Sequence, residues 1–80
     1  MHTRVYTLRG PMFEGKAKKL NAKTLSGEIT ILDHHQPLVS VLAKNGLVWL
    51  EAEDGVRHEY LAPSGFLHMN GANELTVFLD

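Results

Sequence analysis

The sequence of 80 residues contains no cysteine. A disulfide therefore cannot cross-link the fold, and neither a thiolate metal site nor a thiol nucleophile is available. Aromatic residues make up only 8% of the chain. No apolar run approaches the roughly 20 residues of a membrane-spanning helix, and His2, Thr3 and Arg4 interrupt any signal-peptide core at the amino terminus. These absences predict a soluble chain that packing alone holds together.

The chain is short, and this limits its organisation. Eighty residues fall at the low end of the range for one domain. No repeat, low-complexity tract or linker divides them, so we expect a single domain over residues 1–80. A chain of this size buries roughly 60 to 65% of its unfolded surface, which is enough for a modest core.

Charge is nearly balanced overall, with a net charge of −1, but it is unevenly distributed. Glu14 is the only acid among the first 24 residues, where the basic residues are Arg4, Arg9, Lys16, Lys18, Lys19 and Lys23. A nucleic-acid-binding segment would interleave such bases with stacking aromatics, and the stretch 16–23 has none. We therefore expect no nucleic-acid partner.

Apolar residues occur in short alternating runs that turn residues interrupt every 8 to 12 positions, a rhythm typical of all-β sandwiches. The same pattern gives little support for α-helices. The pattern predicts strands at 5–8, 13–23, 28–32, 38–42, 47–53, 57–62, 66–69 and 75–79.

Three local features refine this prediction. The alternation slips by one residue at Lys18-Lys19, which indicates a β-bulge. Asn45-Gly46 predicts a hairpin that pairs the strands on either side of it, because both residues tolerate positive φ. Asp54-Gly55 predicts a second hairpin for the same reason.

The histidines invite a metal or catalytic interpretation, which the spacing does not favour. His34 and His35 are adjacent, and neighbours on a strand point to opposite faces, so they make a poor chelate. We expect them in a loop before Pro37. A trio of Ser64, His68 and Asp80 has the right residue types for nucleophilic catalysis, but no nucleophile elbow or phosphate loop accompanies it. The sequence predicts no catalytic residue, no metal and no cofactor.

Trp49 is the one tryptophan, and two interpretations stay open. If Val48, Leu50 and Ala52 form the buried face of their strand, Trp49 lies on the opposite face with Glu51. It then either contacts a partner, as interface aromatics often do, or is covered by the protein itself.

Several segments together resemble the epsilon subunit of F-type ATP synthases, called delta in mitochondria. Residues 7–15 are similar to the family's opening turn, although Leu8 replaces the usual proline. Residues 26–38 resemble its most specific signature, and the matching positions there are Gly27, Glu28, Ile31, His35, Pro37 and Leu38. Residues 45–48, 61–67 and 73–80 resemble the later strands, with Pro63-Ser64 where Ser-Gly is usual.

The resemblance implies an all-β fold, a two-sheet β-sandwich of about eight to ten short antiparallel strands. It implies binding to the gamma subunit and to the polar loops of the membrane c-ring. Glu28 would meet basic groups of those loops, although a solvated strand end is its plainer interpretation. The expected partner-contact residues are Gly27, Glu28, His34, His35, Pro37 and Trp49.

The function so implied is that of a non-catalytic rotor subunit, which couples proton transport to ATP synthesis. It would be peripheral to the membrane, at the cytoplasmic face of a bacterial inner membrane or the organelle equivalent. No C-terminal helical hairpin follows Asp80, so a chain complete as given would lack helix-mediated inhibition. The alternatives are a stand-alone β-sandwich adaptor for another assembly, and a small hydrolase or metal-binding domain.

Overall fold

The computed structural model describes residues 1–80 and folds them into eight β-strands without a helix. This confirms the all-β prediction. The strands are β1 (His2–Thr7), β2 (Gly10–Thr24), β3 (Gly27–Leu32), β4 (Leu38–Val41), β5 (Gly46–Ala52), β6 (Arg57–Ala62), β7 (Gly65–Met69) and β8 (Glu74–Leu79). No helix long and apolar enough to cross a membrane is present.

The strands form one curled hydrogen-bonded path in the order β4-β7-β8-β1-β2-β5-β6, with β3 attached to β2. β2 is 15 residues long and pairs with strands of both parts of this path. Its first part pairs with β1, and its second part pairs with β3 and β5. We call β4, β7, β8, β1 and the first part of β2 half A, and β3, the second part of β2, β5 and β6 half B.

One pair departs from the expected antiparallel arrangement. β1 and β8 are parallel, with Val5 opposite Val77. Parallel strands require a long connection, and here the connection is the whole chain between them. The first and last strands thus lie side by side in half A.

The predicted bulge is present. The register between β2 and β5 shifts between Ala17 and Lys19. A bulge bends its strand and increases its twist, so this one turns β2 from half A into half B. A second shift, between Val5 and Tyr6, lies in the β1–β2 ladder.

The predicted Asn45-Gly46 hairpin is wrong, although the turn exists. Asn45 has φ 55°, as such a turn requires. However, β4 pairs with β7, while β5 pairs with β2 and β6. Bonds from the Leu42 amide to the Gly65 carbonyl and from the Ala43 amide to the Lys23 carbonyl, both 2.9 Å, carry the chain from half A to half B instead. The Asp54-Gly55 hairpin is confirmed, because β5 and β6 pair directly.

A single core of 16 buried apolar residues fills the space between the halves. Half A contributes Val5, Leu67, Leu75 and Val77, and half B contributes Leu20, Ile31, Val48 and Leu50. Each such side chain stabilises the fold by about 1.5–3 kcal/mol when fully buried. Outward positions alternate with these along the strands, and any functional surface must be built from them.

Candidate functional site

Gly27 and Glu28 are the first two residues of β3, directly after the tight turn of Leu25 and Ser26, and both are exposed; we call residues 25–28 the Gly27-Glu28 turn. Gly27 has φ 116°, a conformation that glycine adopts without strain. The Thr24 hydroxyl donates to the Gly27 carbonyl oxygen at 2.7 Å and accepts from the Ser26 amide at 3.1 Å. The turn is therefore fixed from within and presents the Glu28 carboxylate to solvent.

His34, His35 and Pro37 lie in the loop between β3 and β4, as predicted. His34 has φ 61°, and its amide donates to Asn73 Oδ1 at 2.7 Å. His35 Nδ1 lies 2.8 Å from the Gln36 carbonyl oxygen. Groups of three or more His, Cys, Asp and Glu side chains with metal-binding geometry do not occur.

Asp33 anchors the start of this loop. Its carboxylate accepts a hydrogen bond from the amino-terminal ammonium of Met1 and another from Asn73 Nδ2 at 3.3 Å. These two bonds hold the pKa of Asp33 below its ordinary value of 3.8. The loop is thereby tied to the amino terminus and to the β7–β8 turn.

The structure does not gather the predicted contact residues into one patch. Glu28 lies near the start of β3, whereas His34 lies in the loop two residues beyond its end. At about 3.3 Å per residue, the strand from Glu28 to Leu32 alone spans roughly 13 Å. The Gly27-Glu28 turn and the 33–37 loop are thus two separate surfaces.

Trp49 lies on the outer face of half B and is half-buried. The Arg57 guanidinium lies 4.1 Å from the centroid of its ring, and Lys19 Nζ lies 5.6 Å away. Glu59 holds Arg57 in place through a 2.7 Å ion pair. The protein itself therefore covers part of the indole, and the rest remains open to solvent.

The catalytic trio is not assembled. Ser64 Oγ donates to Asp80 Oδ2 at 3.2 Å. His68 lies further along β7, where it stands opposite Thr76 on β8 and Val39 on β4. Four residues of strand place His68 about 13 Å from Ser64 along the chain, which is out of reach for proton transfer.

An apolar surface that no sequence motif marks crosses the outer face of half A. Register places Val41, Phe66, Phe78 and Tyr6 side by side on four neighbouring strands, and we call these four residues the aromatic row. Phe78 stacks on Phe66 and meets Tyr6 edge-on, with ring centroids 5.7 Å apart in both pairs. Val41 and Phe66 remain 53% and 45% exposed. The row is thus an ordered apolar strip that faces solvent.

The aromatic row adjoins the Gly27-Glu28 turn. The Leu25 amide of that turn donates to the Val41 carbonyl oxygen at 3.0 Å. Leu25 is itself 72% exposed, so it extends the apolar surface towards Glu28. On the other side of the row the surface is polar, because Arg4 Nε lies 3.4 Å from Glu14 Oε2. The arrangement suits protein binding, with an apolar strip beside an exposed acid.

Comparison with known proteins finds a family match over the whole chain. The model of the ATP synthase delta/epsilon chain β-sandwich domain matches residues 1–80. The ATP synthase epsilon chain of Corynebacterium aurimucosum is 38% identical over 69 residues, which cover 86% of this chain and 56% of the relative. That of an Exiguobacterium species is also 38% identical over 69 residues, covering 86% of this chain and 50% of the relative. The chain thus spans about half the length of these curated relatives.

Two solved structures share the fold. In the mitochondrial ATP synthase of Euglena gracilis, described as OSCP/F1/c-ring, a chain superposes with a TM-score of 0.89 at 20% identity, covering 99% of this chain and 49% of that one. In the central stalk and c-ring of the Tetrahymena thermophila mitochondrial ATP synthase, the TM-score is 0.83 at 15% identity, with coverages of 99% and 62%. Together with the match over the full sequence, these findings show that the chain belongs to the family of ATP synthase delta/epsilon chain β-sandwich domains.

Proposed function

We propose that this chain is a non-catalytic rotor component of the central stalk of an F-type ATP synthase. It binds the gamma subunit and the c-ring and couples proton transport to ATP synthesis without making or breaking a bond itself. Family membership over residues 1–80 carries this proposal. It is supported by the names of the relatives and by solved structures described as containing the F1 part, the central stalk and the c-ring.

The proposal assigns different partners to two neighbouring surfaces. The aromatic row is assigned to gamma, because exposed aromatics are typical anchors of protein interfaces. The Gly27-Glu28 turn is assigned to the c-ring, where a carboxylate on a rigid turn would meet basic groups of the polar loops. The Leu25–Val41 hydrogen bond joins the two surfaces, so one end of the domain would fill the corner between gamma and the ring.

A domain that couples the c-ring to gamma mechanically must transmit force without shearing. Seven strands form one continuous path of ladders, the eighth, β3, pairs with β2, and together they enclose one close-packed core. Close-packed interiors have low compressibility and transmit strain. A force applied at the Glu28 turn would therefore reach the aromatic row without passing through a flexible joint.

The other predicted contact residues lie outside the two surfaces assigned so far. His34, His35 and Pro37 lie at the far end of β3, so they belong to a second contact area on the stalk. Trp49 lies on the outer face of half B, and we assign it both roles, packing against Arg57 and offering its open edge to a partner. The cellular position that follows is peripheral to the membrane, and the bacterial relatives favour the cytoplasmic face of the inner membrane.

The test is assembly with purified partners. The wild-type chain should co-purify with gamma and with the c-ring from a detergent extract. Glu28→Lys should lose retention on the c-ring while keeping gamma. Asp54→Lys is the matched control, because Asp54 is also exposed but lies in the β5–β6 turn at the opposite end of half B, outside the turn and the loop assigned to partners. Equal retention of the two variants would refute the assignment of the turn.

Trp49→Ala separates the two roles of the indole. Loss of stability with unchanged partner binding would leave only the packing role.

The aromatic row also suits the second candidate, an adaptor that serves another assembly. An apolar strip of this kind fits many protein partners, and nothing in its chemistry is specific to a rotary motor. A chain that folds normally but binds neither gamma nor the c-ring would favour the adaptor.

A further inference from the structure

The sequence holds two Asn-Gly dipeptides, Asn45-Gly46 and Asn70-Gly71, and both lie at turns. Such a pair is chemically reactive, because glycine has no side chain to hinder its backbone nitrogen from reaching the neighbouring side-chain carbonyl carbon. Reaction requires the asparagine side chain to rotate towards that nitrogen. The hydrogen bonds of each side chain therefore decide which dipeptide reacts.

The side chain of Asn70 is held at every polar atom. Its Oδ1 accepts from the amides of Ala72 and Glu74, at 2.9 and 3.0 Å. Its Nδ2 donates to the Glu74 carboxylate at 2.7 Å, a short charge-assisted bond. All three bonds must be disturbed before the Asn70 carbonyl carbon can approach the Gly71 nitrogen.

Asn45 is held far more weakly. Its side chain is exposed and makes no hydrogen bond within the protein. The bonds around it are backbone bonds at the long end of the usual range, from the Asn45 amide to the Pro63 carbonyl at 3.4 Å and from the Gly46 amide to the Ala43 carbonyl at 3.2 Å. One long turn bond has to open to free the attacking nitrogen. Because Gly46 is buried at the start of β5, opposite Ala62, this end of the β5–β6 ladder has to fray with it, and strand ends fray at low cost.

We propose that Asn45 is a site of spontaneous deamidation in the folded protein, and that Asn70 is protected. The Gly46 nitrogen gives its proton to a base and attacks Cγ of Asn45, which forms a C–N bond. The Cγ–Nδ2 bond breaks, ammonia leaves, and a cyclic imide remains. Water then adds to one of the two ring carbonyls and opens the ring to aspartate or to its β-linked isomer. The sum is amide plus water to carboxylate plus ammonium, without oxidation or reduction.

The product matters because of where it forms. Residues 42–46 carry the chain from half A to half B, and β5 starts at Gly46. The β-linked isomer inserts one methylene into the main chain at this joint. Both products place a negative charge beside Lys44.

The experiment is ageing of the folded chain in mildly alkaline buffer, followed by peptide mapping with mass spectrometry. Deamidation replaces an NH₂ group by OH, and the β-linked isomer separates by chromatography. We expect the peptide with Asn45 to convert at least about tenfold faster than the peptide with Asn70, since the Asn45 side chain is unrestrained whereas three short bonds hold that of Asn70. In strong denaturant the two rates should converge.

Two variants sharpen the test. Asn45→Gly should abolish conversion at this turn and leave Asn70 unchanged, because glycine keeps the positive φ of the turn but has no side-chain carbonyl carbon to attack. Glu74→Ala should speed conversion at Asn70, because it removes the acceptor that holds Nδ2. The proposal is overturned if Asn70 converts as fast as Asn45 in the folded chain, if neither converts, or if the tenfold difference persists in denaturant.

Discussion

Gly65 is the glycine with the least room for a side chain. Its φ is 148°, and a Cβ placed there would lie 2.0 Å from the Phe78 carbonyl oxygen of the neighbouring strand. We therefore expect Gly65→Ala to lower the free energy of unfolding by more than about 3 kcal/mol or to prevent folding. Gly15→Ala is the control, since its Cβ would meet only the Phe13 ring at 3.6 Å, and it should change stability by less than about 1 kcal/mol. Urea unfolding measures both, and similar losses would contradict the argument.

Asp33 makes the free energy of unfolding of this domain depend on pH. Its folded pKa is lowered by the hydrogen bond from the terminal ammonium and then by that from Asn73. Such a group stabilises the fold above its unfolded pKa, and that contribution disappears as the pH falls through the lower folded value. Asp33→Asn should thus lower the urea midpoint near pH 7, and the difference from wild type should shrink below about pH 4.

Asp54→Asn is the matched control for Asp33, because an amide oxygen can replace the carboxylate that accepts from the Val56 amide at 3.0 Å. It should give a small difference at each pH. A constant deficit for Asp33→Asn from neutral to acid pH would show that the charge plays no part.

At the scale of elements, the bulge in β2 decides how the chain passes between the halves. The register shift between Ala17 and Lys19 lets both Ala17 and Leu20 point into the core. Deleting Lys18 would remove the extra residue and with it the bend, so we expect a loss of several kcal/mol in the free energy of unfolding. Lys18→Ala should cost less than about 0.5 kcal/mol, because its only ion pair, with Glu51, is long and exposed. Near-native stability of the deletion variant would refute this role of the bulge.

The elements also show which parts of the fold are readable in the sequence. All eight predicted strands are present, because alternation and turn residues are local signals, although β1 and β2 each begin three residues earlier than predicted. Which strands pair with each other, in contrast, depends on residues that are far apart in the sequence. Asn45-Gly46 and Asp54-Gly55 carry the same local signal, yet only the second joins paired strands, because β4 finds its partner in the distant β7. The parallel β1–β8 pair is hidden for the same reason.

In the candidate site, too, some features follow from local sequence signals and others need the pairing of distant strands. Exposure of Glu28 follows from its place beside a Ser-Gly turn, and the loop position of His34 and His35 follows from Pro37. The aromatic row needs the register of four strands, so its members are scattered in the sequence and no motif marks them. The separation of Glu28 from His34, in contrast, can be read from the sequence, because the strand predicted at 28–32 already lies between the two residues.

At the scale of the whole molecule, the two halves and their single core give one rigid body with an apolar strip on one face. Val41 and Phe66 point away from the core, so replacing them with serine should leave the fold largely intact. If the strip is the gamma-binding surface, these same changes should weaken binding strongly, because the anchors of an interface carry most of its affinity. Stability and binding should thus respond independently to changes in the row.

Titration of purified gamma with the wild-type chain and with the double variant Val41→Ser/Phe66→Ser is the sharpest test of the proposed gamma-binding surface. The control is Val56→Ser/Leu61→Ser, which removes two apolar side chains that are 49% and 67% exposed on half B. We expect the row variant to bind gamma at least about tenfold more weakly than wild type, and the control to bind within about twofold of it. Wild-type affinity in the row variant, or equal losses in both variants, would contradict the claim that this domain attaches to the rotor through its aromatic row.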